Sequence, residues 1–213
     1  MTPQRPLILV TSFEPFGGSD RNPTVEIARI LAAMPASLGS RAFLTLPVVT
    51  GESDGSAWAR VADRLAELSP SAVVALGENH RAECIHLERI AVNLRDARIA
   101  DNAGVQLRDT PVVDGAPDAF FSTLPLREML SACEAAGVRA QLSLSAGSFL
   151  CNELMYRLLE RADPPVCGFI HVPQLPEQAR SRGGPSQDAA TSARGIHAAL
   201  EVLAARLATG VLA

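Results

Sequence analysis

No stretch of this 213-residue sequence approaches the ~18 uninterrupted apolar residues that a membrane-spanning helix needs. The N-terminal run Leu7 to Val10 is too short for the hydrophobic part of a signal peptide and leads straight into Glu14 and a Gly-Gly turn, so the expected location is the cytoplasm. Basic charge is also scarce. A net charge of −4 and a pI near 5.6 leave no cationic stripe for a phosphate backbone, so nucleic acid is not an expected partner. The four cysteines, Cys84, Cys133, Cys151 and Cys167, include no CxxC pair and no zinc-like Cys/His spacing, which points to free thiols in a reducing compartment. There is no GxGxxG, and no Lys-Ser/Thr follows Gly17-Gly18, so the signal for a phosphate loop is weak. Repeats and composition breaks are missing too. With 47% hydrophobic and 20% charged residues, the chain reads as one ordinary soluble domain over residues 1–213.

Strand and helix signals alternate along the chain, and that predicts a single-domain α/β/α sandwich with a twisted, largely parallel (mixed) sheet. Leu7 to Ser12, Ala42 to Val49, Ser71 to Leu76 and Val166 to Val172 read as strands. Asn22 caps a first helix with Pro23 at its first position, where a missing N–H costs nothing. Ser53 opens a second, whose Trp58, Val61, Leu65 and Leu68 share a face. Ile85 to Leu94 and the following RDARIADN read as strand, turn and extended loop, Thr110 to Asp114 as a short strand or half-hairpin, and about Leu124 or Pro125 to Ala136 as a helix ending at Gly137. The segment after Pro173, QLPEQARSRGGPS, is rich in Pro, Gly, Ser and charge, which predicts an irregular loop. A lid is one reading of it and a plain connection the other. A last helix covers about Asp188 to Thr209.

The chemistry concentrates on Gln141 to Arg157, QLSLSAGSFLCNELMYR. Its front half alternates like a strand, and Leu154, Leu158 and Leu159 follow at helical spacing, so Cys151 falls where strand gives way to helix. Unpaired N–H groups and the positive dipole end there favour a thiolate, and the small residues Ser145 to Ser148 permit a tight turn whose amides can face an oxyanion. The bland alternative is a packed, inert cysteine, and the segment alone does not separate the two. A thiol nucleophile needs a base, and His171 in the apolar FIHVP is the best placed of four histidines. If strand, Cys helix and returning strand form one βαβ unit, the two side chains meet at one sheet edge. Glu88, a carboxylate within LERIAVN, is the candidate to orient the imidazole, with an ion pair to Arg89 as its structural rival. Phe13 and Phe16, held by Pro15 before Gly17-Gly18, suit either a flat apolar pocket wall or a core plug.

Four segments in this order, FEPFGGSDRNPT, LERIAVNLRDARIADN, SAGSFLCNELMY and GFIHVPQLPEQ, resemble the pyroglutamyl peptidase I family (pyrrolidone-carboxylate peptidases), the C15 class of cysteine peptidases. The resemblance covers nearly the whole chain. It implies a homotetramer that removes N-terminal pyroglutamate from peptides through a thioester, with no metal and no cofactor. By the same resemblance, Cys151 is the nucleophile, His171 the general base and acid, and Glu88 the residue that orients His171. Phe13, Phe16, Ile99, Phe149 and Leu150 would line the pyroglutamyl pocket, and Arg98 would stand near the site, either as support or in a salt bridge. One motif departs from the family. Where it reads G-Q-x-G-G-R, this chain has Gly77-Glu78-Asn79-His80-Arg81-Ala82, so Glu78 replaces a glutamine associated with lactam recognition. A carboxylate accepts a ring N–H but cannot donate as an amide does.

Overall fold

The computed structural model describes residues 5–161 and 165–210. In chain order the elements are β1 (Leu7–Phe13), α1 (Pro23–Ala33), β2 (Ser40–Leu46), α2 (Ala57–Leu68), β3 (Ala72–Glu78), β4 (Ile85–Glu88) and β5 (Ile90–Val92). They continue with β6 (Ala119–Phe121), α3 (Leu126–Ala135), β7 (Ala140–Ser143), α4 (Leu150–Glu160), β8 (Val166–Val172), α5 (Pro176–Arg182) and α6 (Ala189–Thr209). Six strands form one sheet in the order β2-β1-β3-β8-β4-β7, while β5 and β6 make a separate antiparallel ribbon. Every neighbour in the main sheet is parallel except the pair β4 and β8.

Successive side chains of a strand point to opposite faces, and here both faces are covered, so the central strands are apolar throughout. Ile8, Val10, Val74, Leu76 and Ile170 pack one way, under α1, α3 and α6. Leu9, Val73, Ala75, Cys167 and Phe169 pack the other way, under α2 and α4. The helix ends follow their capping residues. Asn22 Oδ1 accepts the Thr24 N–H at 3.0 Å with Pro23 in the first turn, and Ser56 and Asp188 cap α2 and α6 in the same manner. Among the described residues no helix is long and apolar enough to cross a membrane.

Four expectations need correction. First, β7 and β8 are not parallel neighbours: β4 lies between them, parallel to β7 and antiparallel to β8, so no simple βαβ unit carries Cys151 to His171. A four-residue strand reads alike in either direction, and IHLE gave no sign of its polarity. Second, the segment after Pro173 is not irregular throughout. Pro176 begins α5, and Gln178 Oε1 accepts the Leu175 N–H at 2.8 Å at its start, an organisation hidden by the flanking Gly-Gly-Pro-Ser. Third, Thr110 makes only an isolated bridge with Arg95, whereas the strand partner of β5 is β6 further on. Fourth, α2 begins at Ala57 behind Ser56 rather than at Ser53, and β2 spans Ser40–Leu46 rather than reaching Val49.

Candidate active site

Cys151 is the second residue of α4, and its helix is held in place by polar ties the sequence did not advertise. The next residue, Asn152, is fully buried and grips the β5 backbone: its Oδ1 accepts the Val92 N–H at 2.9 Å, while Nδ2 donates to Val92 O at 2.8 Å and Leu94 O at 3.0 Å. The following residue, Glu153, accepts the Gly51 N–H and pairs with Arg157 one turn on. Ahead of the helix, Ser148 and Asp96 exchange hydrogen bonds through Asp96 N–H to Ser148 O at 2.9 Å and Ser148 Oγ to Asp96 O at 2.8 Å. The identity of the residue after the cysteine, an Asn, is all that the sequence shows of the first of these anchors; its burial appears only in the structure. The N-cap residue of α4 is Phe149, which supplies no capping side chain. The first N–H groups of the helix, which have no acceptor within it, are therefore not covered by a side-chain cap.

His171 sits near the end of β8, level with Gly77 of β3 on one side and His86 of β4 on the other. Its Nδ1 lies 2.8 Å from Oε1 of Glu88, which projects from β4 and is fully buried. Cys151 lies close enough to the ring for its sulfur to favour the imidazolium. Sulfur, imidazole and carboxylate therefore form one chain of contacts, assembled from a helix start and two strands running in opposite directions. Burial disfavours the imidazolium, but the Cys151 charge and hydrogen bond, followed by those of Glu88, outweigh it and raise the His171 pKa to about 9. The second oxygen of Glu88 has no hydrogen-bond partner among the described residues. Burying such a charge is costly unless the neighbouring ring carries the compensating proton. The rival imidazole, His86, is pulled down mainly by burial and bonds instead to Gln141, which leaves Glu88 to His171.

The floor beneath the imidazole is aromatic. Phe169 stands two residues before His171 with ring centroids 4.8 Å apart, and Phe13 lies 6.4 Å beyond it. Phe13 and Leu150 are buried in the core under α2 and α4, with Phe16, Phe149 and Cys151 packed on its edge. Ile99 is 44% exposed and leans over the Gly17 turn, where an added Cβ would stand 3.5 Å from its Cδ1. Arg98 is exposed, and its charge, after burial and Arg81, helps to lower the His80 pKa. Glu78 takes another course: its side chain is 2% exposed and bonds to Gln178 and Arg182 of α5. Among the described residues no group of three or more His, Cys, Asp or Glu side chains could hold a metal ion.

Gly77 is a site residue that sequence reasoning passed over. A Cβ there would meet the Phe169 ring at 2.6 Å and Cys151 Sγ at 3.0 Å, so the sulfur and the ring occupy the room a side chain would need. Overpacking of this kind costs about 1–3 kcal/mol. Gly77→Ala is expected to lower both the melting temperature and the turnover, whereas unchanged values for both would show that the ring and sulfur have room to spare.

Comparison with known proteins gives one answer. A family model described as pyroglutamyl peptidase matches residues 7–206. A pyrrolidone-carboxylate peptidase of Gloeobacter violaceus is 46% identical over 200 residues, covering 92% of this chain and 96% of that protein. A structure of a mutant pyrrolidone carboxyl peptidase from Pyrococcus furiosus superposes with a TM-score of 0.87 at 37% identity, covering 94% of this chain and 99% of that one. Pyroglutamyl peptidase I from Bacillus amyloliquefaciens superposes with a TM-score of 0.88 at 29% identity, covering 95% and 98% of the two chains.

Proposed function

Because this chain belongs to the pyroglutamyl peptidase family and joins a partly exposed thiol to a buried imidazole and carboxylate, we propose that it is a cysteine exopeptidase acting on peptides with an N-terminal pyroglutamate. The contact of His171 with both Cys151 and Glu88 is the observation that carries this reading. Glu88 fixes the ring through Nδ1, which leaves Nε2 for the sulfur. The thiolate attacks the pyroglutamyl carbonyl, and the N–H groups at the start of α4 stabilise the oxyanion, an effect typically worth about 10²–10³ in rate per donor. As the C–N bond breaks, His171 protonates the departing amine. It then takes a proton from the water that cleaves the thioester, restoring the thiol and releasing pyroglutamate.

A flat, uncharged lactam suits the apolar surface of Phe13, Phe16, Ile99, Phe149 and Leu150. Arg98 is taken in this reading as support near the site. In this reading residues 1–213 act as one peptidase domain in the cytoplasm, assembled as a homotetramer and needing no cofactor. The test is amine release from a pyroglutamyl-arylamide set against prolyl- and glutamyl-arylamides. Turnover of the first alone is expected. Equal turnover of all three, or of none, would reject the assignment.

The engagement of Glu78 by α5 favours a second reading, a homologue that binds pyroglutamyl groups but turns them over weakly, or a small-amide hydrolase with a changed substrate. Tight pyroglutamate binding without turnover would establish the former.

A further inference from the structure

Glu78 ends β3 one residue after Gly77, the position that faces Cys151 and pairs with His171, yet its carboxylate is turned toward α5. Gln178 Nε2 stands 3.1 Å from Oε2 and 3.3 Å from Oε1, and Arg182 Nη1 stands 3.3 Å from Oε1. The same Gln178 amide lies 3.2 Å from Ser19 Oγ and 3.3 Å from Arg21 O, in the loop that follows Phe16 and the Gly-Gly turn. At the far end of α5, Gln174 Nε2 donates to Gly183 O at 2.7 Å and Pro185 O at 3.0 Å, closing the segment on itself. The end of β3, the aromatic-bearing loop and α5 thus meet on one buried carboxylate and one buried amide. For Glu78 to accept a lactam N–H directly, it would have to give up these partners.

We propose that Glu78, Gln178 and Arg182 form a clamp that docks α5 and the Phe16 loop against the end of β3, positioning the substrate pocket rather than contacting substrate. In this proposal, which rests on the peptidase reading, Arg182 is the counter-charge that makes a carboxylate tolerable at position 78. Burial raises the Glu78 pKa, with Gln178 and then Arg182 pulling the other way, as expected where charge must be compensated. The consequence is asymmetric. Glu78→Gln strands only a guanidinium that is 33% exposed and can turn to water, whereas Arg182→Gln strands a carboxylate that is 2% exposed.

The experiment is a double-mutant cycle of Glu78→Gln and Arg182→Gln, read as KM against kcat for the pyroglutamyl-arylamide and as hydrogen exchange of residues 176–182 and 19–22. Arg182→Gln is expected to raise KM by about 3- to 30-fold and to hasten exchange in both segments, with kcat within about twofold; Glu78→Gln does so less. The double variant returns both readings most of the way to wild type. Additive effects in the cycle, or a fall in kcat at unchanged KM, would overturn the clamp. Unchanged exchange in Arg182→Gln would do the same. If the wild type shows no turnover while exchange still follows the cycle, the clamp stands and the peptidase reading falls.

Discussion

Cys151→Ala abolishes turnover of a pyroglutamyl-arylamide, lowering kcat by at least about 10⁴-fold, since removing the nucleophile of a coupled triad costs nearly as much as removing the whole. The fold should survive, because Cys151 is only partly buried and α4 is anchored by Asn152, Glu153 and Arg157 rather than by the sulfur. A second readout separates lost chemistry from lost structure. The Cys151 charge and hydrogen bond are the largest influences holding the His171 pKa up at about 9 against burial, so its ring titration, followed by NMR, shifts downward in the variant. Ordinary turnover in Cys151→Ala would remove the nucleophile assignment. An unmoved His171 titration would show that sulfur and imidazole do not interact in solution.

Glu88→Gln is expected to cost about 10²–10⁴ in kcat, because an amide can hold the ring yet neither compensates an imidazolium nor fixes the tautomer that points Nε2 at the sulfur. Its effect on stability depends on pH. The folded His171 pKa, about 9, lies above the ordinary 6.5, so its protonation stabilises the fold fully below about pH 6.5 and ceases to do so as pH rises through about 9. The wild-type melting temperature should therefore fall over that interval. Part of the fall is due to Glu88, whose hydrogen bond and charge follow those of Cys151 among the raising influences, so Glu88→Gln flattens the profile. The alkaline limb of kcat/KM moves to lower pH in step. A variant with wild-type activity and an identical profile would make Glu88 a bystander.

The parts of this molecule that follow from local pattern were legible in the sequence. Pro23 behind Asn22, the apolar run of β1 and the periodic Leu154, Leu158 and Leu159 each determine structure within a few residues, and the expected elements formed there. Cys151, His171 and Glu88 were singled out as candidates by residue type and by resemblance; the structure pairs His171 with Glu88 and sets Cys151 near the ring. What local pattern could not reveal was direction and distant partnership. The polarity of β4 depends on β7 and β8, which lie far away in the chain, and the choice between Arg89 and His171 as partner of Glu88 is made by that register. Gly77 is informative only once Phe169 and the sulfur stand against it, and α5 only once Gln178 finds the Phe16 loop and Glu78.

The reversed strand also governs when the chemistry can come into being. Glu88 and His171 are 83 residues apart, and the junction that unites them is the one seam of the main sheet whose two sides run in opposite senses. Closing so long a loop carries an entropic cost before any long-range pairing rewards it. The carboxylate comes from the first half of the polypeptide and the thiol and imidazole from the second, so the three groups assemble only once β8 has inserted between β3 and β4.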